Sequence, residues 1–366
     1  MKHFQMNNSF KPRKTHIGNV PISNGVFLAP MEDVSDLPFR VVCRELGADI
    51  FYSEFISSEG IIRDSKKAAR KMLVDERESP TAIQIFGADF KSMADAAKVV
   101  EDAGADILDI NFGCWVKKVV RREAGAAFLK DPDRMAEMTR EVIEAVDIPV
   151  TVKTRLGWSQ NTIVIEEVAK KIEQTGAKAL AIHCRTRDMG MTGRAQWEWI
   201  PVIRDLVDIP IILNGDVKTP ADVREAFETT GCDAMMIGRG CIGYPFIFKM
   251  AKEYIETGIY PEEPSLREKI DTCLLHLNMT LDFKGPHGLV EFRKHYSGYL
   301  KGYHGASAAR KSLMDAKSYD EAYSLLNRYY DQLESENRLD PIEKGPKSKS
   351  LSCESDKYVK KQLIEN

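Results

Sequence analysis

Residues 81–111, TAIQIFGADFKSMADAAKVVEDAGADILDIN, decide the fold. The stretch opens on a short β-rich run, TAIQIF (81–86). It passes through a loop into an amphipathic helical pattern, DFKSMADAAKVVEDAGA, and closes on a second run, DILDIN (106–111). An Asp stands near the start of the helical pattern, and Gly104 ends it as a C-cap. The same unit recurs along the chain. Further strand candidates are GVFLAP (25–30), DIFYSE (49–54), PVTVKT (149–154), ALAIHC (179–184), IPIILN (209–214) and DAMMIG (233–238). They are short and mostly rich in Ile, Val, Leu and Met, as expected of parallel strands buried on both faces. Eight β-α units in about 225 residues predict an α/β fold, a TIM (β/α)8 barrel, over residues 1–250. A doubly wound sheet is the alternative, and eight evenly spaced strands overshoot its usual count.

Beyond residue 250 the strand-like runs disappear. Helical stretches such as PSLREKIDTCLLHLNMTLDF and YDEAYSLLNRYYDQLESE take over, so residues 251–335 read as a helical domain. Residues 336–366 are polar and aromatic-poor, the composition of a disordered tail. The 366 residues are 43% hydrophobic and 29% charged, with no run near the roughly 20 apolar residues of a membrane span. The first residues lack the apolar core of a signal peptide, so a cytoplasmic protein is expected. Seven scattered cysteines without a CxxC pair argue against a disulfide framework and against a zinc site. The seven histidines show no metal-ligand spacing, and no metal is expected. A formal charge of −3 carries no global sign of nucleic-acid binding, which would have to use a local basic face.

Chemistry in such a barrel sits at the C-terminal ends of the strands. There the sequence places Pro30 and Met31, then Glu54, Gln84, and Asn111 with Cys114 beyond it. Lys153 and Arg155, then His183 and Arg185, follow on the next two strands. The last two end in Asn214-Gly215-Asp216 and Gly238-Arg239-Gly240. Lys153 and Arg155 are two apart and can face one side. Two cations converging on a barrel mouth favour an anionic ligand or a developing negative charge. Glycine turns closing the last two strands let backbone N–H groups approach a phosphate. A flavin mononucleotide fits such a site, as does a sugar phosphate.

These residues resemble the tRNA-dihydrouridine synthase family, nearest its bacterial B-type branch. The resemblance rests on LAPMEDVSDLPFR (28–40), QIFGAD (84–89), DINFGC with VKKV (109–119), VTVKTRLGW (150–158), HCRTR (183–187), NGDV (214–217) and MIGRGCIGYPFIF (236–248). FRKHYSGYLKG (292–302) resembles a motif of that family's C-terminal helical domain. It implies reduction of uridine to 5,6-dihydrouridine in the D-loop of tRNA, with FMN as cofactor and NADPH or NADH as reductant. Carried over, Pro30, Met31 and Glu32 border the flavin, Gln84 and Lys153 hydrogen-bond its ring, and His183 lies beside it. Asn214, Gly215, Asp216, Gly238 and Arg239 hold its phosphate end. Asn111, Arg155 and Arg185 meet the uracil. Hydride goes from flavin N5 to C6, and Cys114, an acid with an ordinary pKa near ~8.5, gives C5 its proton. Lys117, Lys118, Arg121 and Arg122 would guide the RNA backbone, with Arg293 and Lys294 in the helical domain.

Three departures from the family pattern stand out. Trp115 replaces the usual proline after the cysteine, Met189, Met191 and Gln196 replace the usual Gln, Tyr and Asp, and Cys184 replaces a glycine. Trp115 either stacks on a base or fills a pocket. Residues 284–311 hold six basic residues against one acidic, interleaved with Phe292, Tyr296, Tyr299 and Tyr303. That stripe either binds phosphates and stacks on bases, or is a solvated helix face with its aromatics in the core. Competing readings are an FMN barrel reducing a small pyrimidine, a non-catalytic RNA-binding flavoprotein, and an enzyme acting on ribosomal RNA. A monomer is expected.

Overall fold

A computed structural model describes residues 15–342. The eight main strands are β1 (Val26–Leu28), β2 (Phe51–Tyr52), β3 (Thr81–Phe86), β4 (Ile107–Asn111), β5 (Val150–Arg155), β6 (Leu180–His183), β7 (Ile211–Asn214) and β8 (Ala234–Ile237). Each pairs parallel with the next, and β8 pairs back onto β1 through Ile237 opposite Leu28. The sheet is therefore closed, and the doubly wound alternative falls. A short extra strand, Ile56–Ser57, lengthens the β3 side of the rim.

One main helix follows each strand. They are α1 (Leu37–Glu45), α2 (Lys66–Met72), α3 (Phe90–Asp102), α4 (Pro132–Glu144), α5 (Ile165–Gln174), α6 (Trp199–Arg204), α7 (Pro220–Thr230) and α8 (Ile247–Thr257). Local chemistry sets their starts. Asp89 caps α3 by accepting the Ser92 N–H, and Thr219 with Asp222 forms a capping box on α7.

Strand alternation sorts the side chains. Ile83, Ile85, Leu108, Ile110, Val150 and Val152 pack outward against the helices. Phe27, Tyr52, Ala82, Ile107, Ala179, Ala181, Ile212, Ala234 and Met236 form a separate cluster inside the barrel. The sequence reading missed what closes the barrel floor. An antiparallel hairpin, Thr15–Ile17 with Val20–Ile22, adds Ile17, Val20 and Ile22 to that inner cluster.

Four more helices follow: α9 (Leu266–Lys284), α10 (Gly288–Tyr299), α11 (Ala306–Asp315) and α12 (Tyr319–Ser335). They share their own core, including Ile270, Leu277, Phe292, Tyr296, Tyr299 and Leu326. This decides the open reading of the 284–311 stripe: Phe292, Tyr296, Tyr299 and Tyr303 are core side chains and do not stack on bases. The bundle docks on α1. Phe39 stacks on His276 at 5.2 Å and lies 5.0 Å from His295. Lys284 pairs with Asp36, the N-cap of α1, and with Glu291, both at 2.5 Å. Of the tail expected over 336–366, residues 343–366 lie outside the described residues. Residues 336–342 follow α12, and the Ile342 N–H donates to the Gly302 carbonyl at 2.7 Å. Among the described residues no helix is long and apolar enough to cross a membrane.

Candidate active site

A cavity of about 540 Å³ opens at the C-terminal ends of the barrel strands. That volume suits a nucleotide-sized ligand. It gathers most of the residues singled out from sequence: Pro30, Met31 and Glu32 after β1, Asn111 and Cys114 on and after β4, Lys153 and Arg155 on β5, and His183 and Arg185 on and after β6. Asn214, Gly215 and Asp216 after β7, and Gly238 and Arg239 after β8, complete it. Strand register brings them level, with Asn111 opposite Lys153, Arg155 opposite His183, and His183 opposite Asn214.

Gln84 does not line the cavity. It is fully buried, donating to Asp109 Oδ2 at 2.6 Å and accepting from Asn111 Nδ2 at 2.7 Å. Asn111 in turn accepts the Gly113 and Cys114 N–H groups through Oδ1, at 3.0 and 2.8 Å. Gln84 therefore stands behind the cavity wall and the direct flavin contact expected of it is not made, while Asn111 lines the cavity and also belongs to a ladder that holds the Cys114 loop. Asp109 anchors the ladder and also accepts the Thr151 hydroxyl at 2.5 Å. Burial pushes its pKa up to about 6, against the opposing bonds from Gln84 and Thr151. Sequence reasoning missed Asp109, although a carboxylate two residues before Asn111 in an apolar strand is a visible signal.

Cys114 is mostly buried, and burial raises its thiol pKa; Arg155 and Lys153 oppose the rise. The group keeps its proton at neutral pH. Gly125 approaches closely: at φ +59, an added Cβ would stand 2.9 Å from the Cys114 carbonyl oxygen. That oxygen accepts the Ala126 N–H at 3.0 Å.

The two arginines are largely committed to backbone. Arg155 donates from Nε to the Gly113 carbonyl at 2.8 Å, and from Nη1 to Thr186 and Gly190 carbonyls at 3.1 and 2.8 Å. Among the described residues its Nη2 meets only the Met191 thioether, at 4.0 Å. Arg185 holds the Thr192 and Gly193 carbonyls and pairs with Asp216 Oδ2 at 2.6 Å. Its Nη1 lies 3.3 Å from His183 Nε2. Burial lowers the His183 pKa and Arg155, Lys153, Arg185 and Arg239 add to the effect, so the ring is neutral at neutral pH. The arginine makes Nε2 the acceptor nitrogen. Lys153 donates to Asn214 Oδ1 at 3.1 Å, and burial lowers its pKa to about 8.

The end of the cavity beyond β7 and β8 is built from backbone. Gly215 has φ +121, and an added Cβ would stand 3.0 Å from the Ala195 Cβ and 3.1 Å from His183 Cδ2. Its carbonyl accepts the Trp197 indole N–H at 2.8 Å. Asp216 also takes positive φ, 59°, held by Arg185 and by the Ala195 N–H. The backbone N–H groups of Asp216, Arg239 and Gly240 find no acceptor among the described residues, which suits an anion.

At the rim Glu32 pairs with Lys71 at 2.5 Å, and Lys71 also reaches Glu54 at 3.1 Å. Lys118 lines the cavity, while Lys117, Arg121 and Arg122 stand exposed on and beside the short helix Lys117–Val120. Arg293 and Lys294, on α10, do not line the cavity and are half-buried. The Lys294 ammonium donates to the Asp33 carbonyl, so it ties the bundle to the barrel. Phe55, Trp115, Val116, Val119 and Met191 add an apolar rim that was not expected as a unit.

Comparison with known proteins agrees with this architecture. The family model described as dihydrouridine synthase matches residues 27–335. The chain therefore belongs to the dihydrouridine synthase family. It is 38% identical over 317 residues to tRNA-dihydrouridine synthase B of Escherichia coli K12, spanning 86% of this chain and 98% of that one. It is 41% identical over 285 residues to the enzyme of the same name from Pseudomonas putida, spanning 78% and 85%. Among solved structures, histamine dehydrogenase from Rhizobium sp. 4-9 superposes with a TM-score of 0.52 at 13% identity. That match covers 73% of this chain and 50% of the other, and it speaks to the barrel fold alone.

Proposed function

We propose that this protein reduces uridine to 5,6-dihydrouridine in the D-loop of tRNA, using bound FMN recharged by NADPH. The observation that carries the reading is Cys114: a protonated thiol at the mouth of a nucleotide-sized cavity, fixed by Asn111 and flanked by two buried cations. The residues present suit FMN. Free backbone N–H groups and the cramped Gly215 turn fit a phosphate, and Lys153 fits an electron-rich ring edge. Asn214, Gly215, Asp216, Gly238 and Arg239 would hold the phosphate end, Pro30, Met31 and Glu32 would border the ring, and Lys153 and His183 would contact it. Gln84 acts one layer below, through Asn111. The chemistry that FMN supplies when bound is hydride donation from N5 to C6 of uracil.

The protein's own part is the proton. Reduction at C6 leaves an enolate at C5, and the Cys114 thiol gives that carbon its proton. The same charges that oppose the rise in its pKa, Arg155 and Lys153, stabilise the thiolate left behind. Arg155 Nη2, its remaining donor group, can meet a uracil oxygen. Lys118 and the exposed Lys117, Arg121 and Arg122 supply positive charge for RNA phosphates. Arg293 adds to it from the helical domain, residues 251–335, while Lys294 serves the inner contact. Extruding a loop uridine costs a few kcal/mol, less than extruding a paired one.

The test is mass-spectrometric mapping of dihydrouridine in tRNA from cells with and without the gene. Loss at specific D-loop positions supports the reading, and an unchanged map overturns it. With purified protein, Cys114→Ala should lower turnover by about 10²–10⁴-fold with flavin content and tRNA affinity kept. Turnover like wild type in that variant would remove Cys114 as the acid.

A further inference from the structure

We propose that Trp115 is a stacking platform for an unpaired nucleobase next to the reacting uridine, and that it selects which RNA segment the cavity accepts. This rests on the reading of the cavity as a tRNA uridine reductase. Trp115 follows Cys114 directly, where the family resemblance leads one to expect proline. Its side chain lines the cavity yet is 40% exposed, beside Val116 at 46% and Met191 at 37%. Here the ring is backed on Gly190, where an added Cβ would lie 3.3–3.5 Å from three atoms of the six-membered ring.

That backing is rigid. Gly190 sits at φ +57, and its carbonyl is held by Arg155 Nη1 at 2.8 Å. The same guanidinium holds the Gly113 carbonyl at 2.8 Å, on the Trp115 side of the site. One cation thus fixes both the loop that carries the ring and the loop beneath it. A surface set in place before the ligand arrives loses little conformational entropy on binding.

Charge points to the occupant. Lys117, Lys118, Arg121 and Arg122 follow within seven residues, and none of them forms an ion pair among the described residues; the nearby Glu123 is taken by Arg134. An aromatic platform beside unpaired cations is the recurring arrangement for single-stranded nucleic acid, the ring taking a base and the cations its phosphates. A protein segment docking there would give no dependence on a nucleobase, and the test below includes that outcome.

The test uses the full-length flavin-loaded protein and an unmodified tRNA transcript whose target uridine the wild type has identified. Trp115→Ala should raise KM for the transcript about tenfold or more, the value expected for one lost base stack, with a smaller change in kcat. Trp115→Phe should restore most of the affinity. An abasic nucleotide beside the target should raise KM for the wild type by a similar factor and leave the KM of Trp115→Ala where it is. If Trp115→Ala forms dihydrouridine with a KM within twofold of wild type, the platform is wrong and the uridine reductase reading stands. Equal sensitivity of both proteins to the abasic site also overturns it. Loss of flavin from both the Ala and Phe variants makes Trp115 a structural residue. Wild type that forms no dihydrouridine overturns both readings together.

Discussion

Asn111→Ala should separate the cavity from its thiol. The Asn111 amide accepts the Gly113 and Cys114 N–H groups and donates to Gln84 Oε1, all in buried surroundings. Alanine leaves those three partners without a match. At about 1 kcal/mol net per bond the loss is about 3 kcal/mol. At about 2 °C per kcal/mol for a chain of this size, Tm should fall by about 6 °C. The loop then no longer fixes Cys114 over its target, and a displacement of about 1 Å costs about 10²-fold in kcat. The assays are thermal unfolding, flavin absorbance of the purified protein, and the rate of dihydrouridine formation. Flavin content should stay near wild type, because Asn214 and the two glycine turns are untouched. Asn111→Asp is the informative companion. It keeps the acceptor for the loop but sets a carboxylate oxygen against Gln84 Oε1. Turning the Gln84 amide over only moves the conflict to Asp109. A proton on either carboxyl relieves it, so that variant should regain activity as pH falls towards 6. Asn111→Ala with wild-type kcat would refute the ladder as the device that positions Cys114, and would leave that task to Arg155 and the Ala126 N–H.

His276 is fully buried with its pKa lowered to about 3, burial being the main cause. Its stability contribution is present above the unfolded value near 6.5 and is lost as pH falls towards 3. About 2 kcal/mol should go between pH 7 and pH 5, seen by denaturant unfolding and reduced in His276→Gln. Gly215→Ala must place a Cβ 3.0 Å from Ala195 at positive φ, so flavin retained through purification should drop severalfold by its visible absorbance. Glu78 makes a bidentate buried pair with Arg40 at 2.6 and 2.9 Å. Glu78→Gln should cost about 3–5 kcal/mol, read as a lower urea midpoint with an unchanged slope.

The barrel was legible because strands buried on both faces write themselves as short apolar runs. TAIQIF begins and ends where β3 does, and the other runs differ by at most two residues at each end. The floor hairpin was not legible: three-residue strands with one or two inward side chains leave no period to find. The stripe at 284–311 was ambiguous because its charges and aromatics alternate in sequence. The spacing of 292, 296 and 299, four then three, is the helical signature of one buried face on α10, and Tyr303 joins the same core from the turn beyond it. Site positions followed from strand ends, yet what each side chain touches depended on cross-strand register. Register sets Gln84 opposite Asp109, where its amide bonds Asp109 on one side and Asn111 on the other, and no single strand carries that information.

The seam between barrel and bundle has a consequence for how the protein can be divided. Phe39 of α1 is covered by His276 and His295, and the cap of that helix, Asp36, is neutralised by Lys284. Asp33, three residues earlier and beside the cavity-lining Glu32, has its carbonyl held by Lys294. Cutting the chain near residue 260 would strip an aromatic ring, uncover an unpaired carboxylate and release part of the cavity rim at once. Melting should therefore take both halves down in one cooperative transition, and two separate calorimetric peaks would refute that coupling.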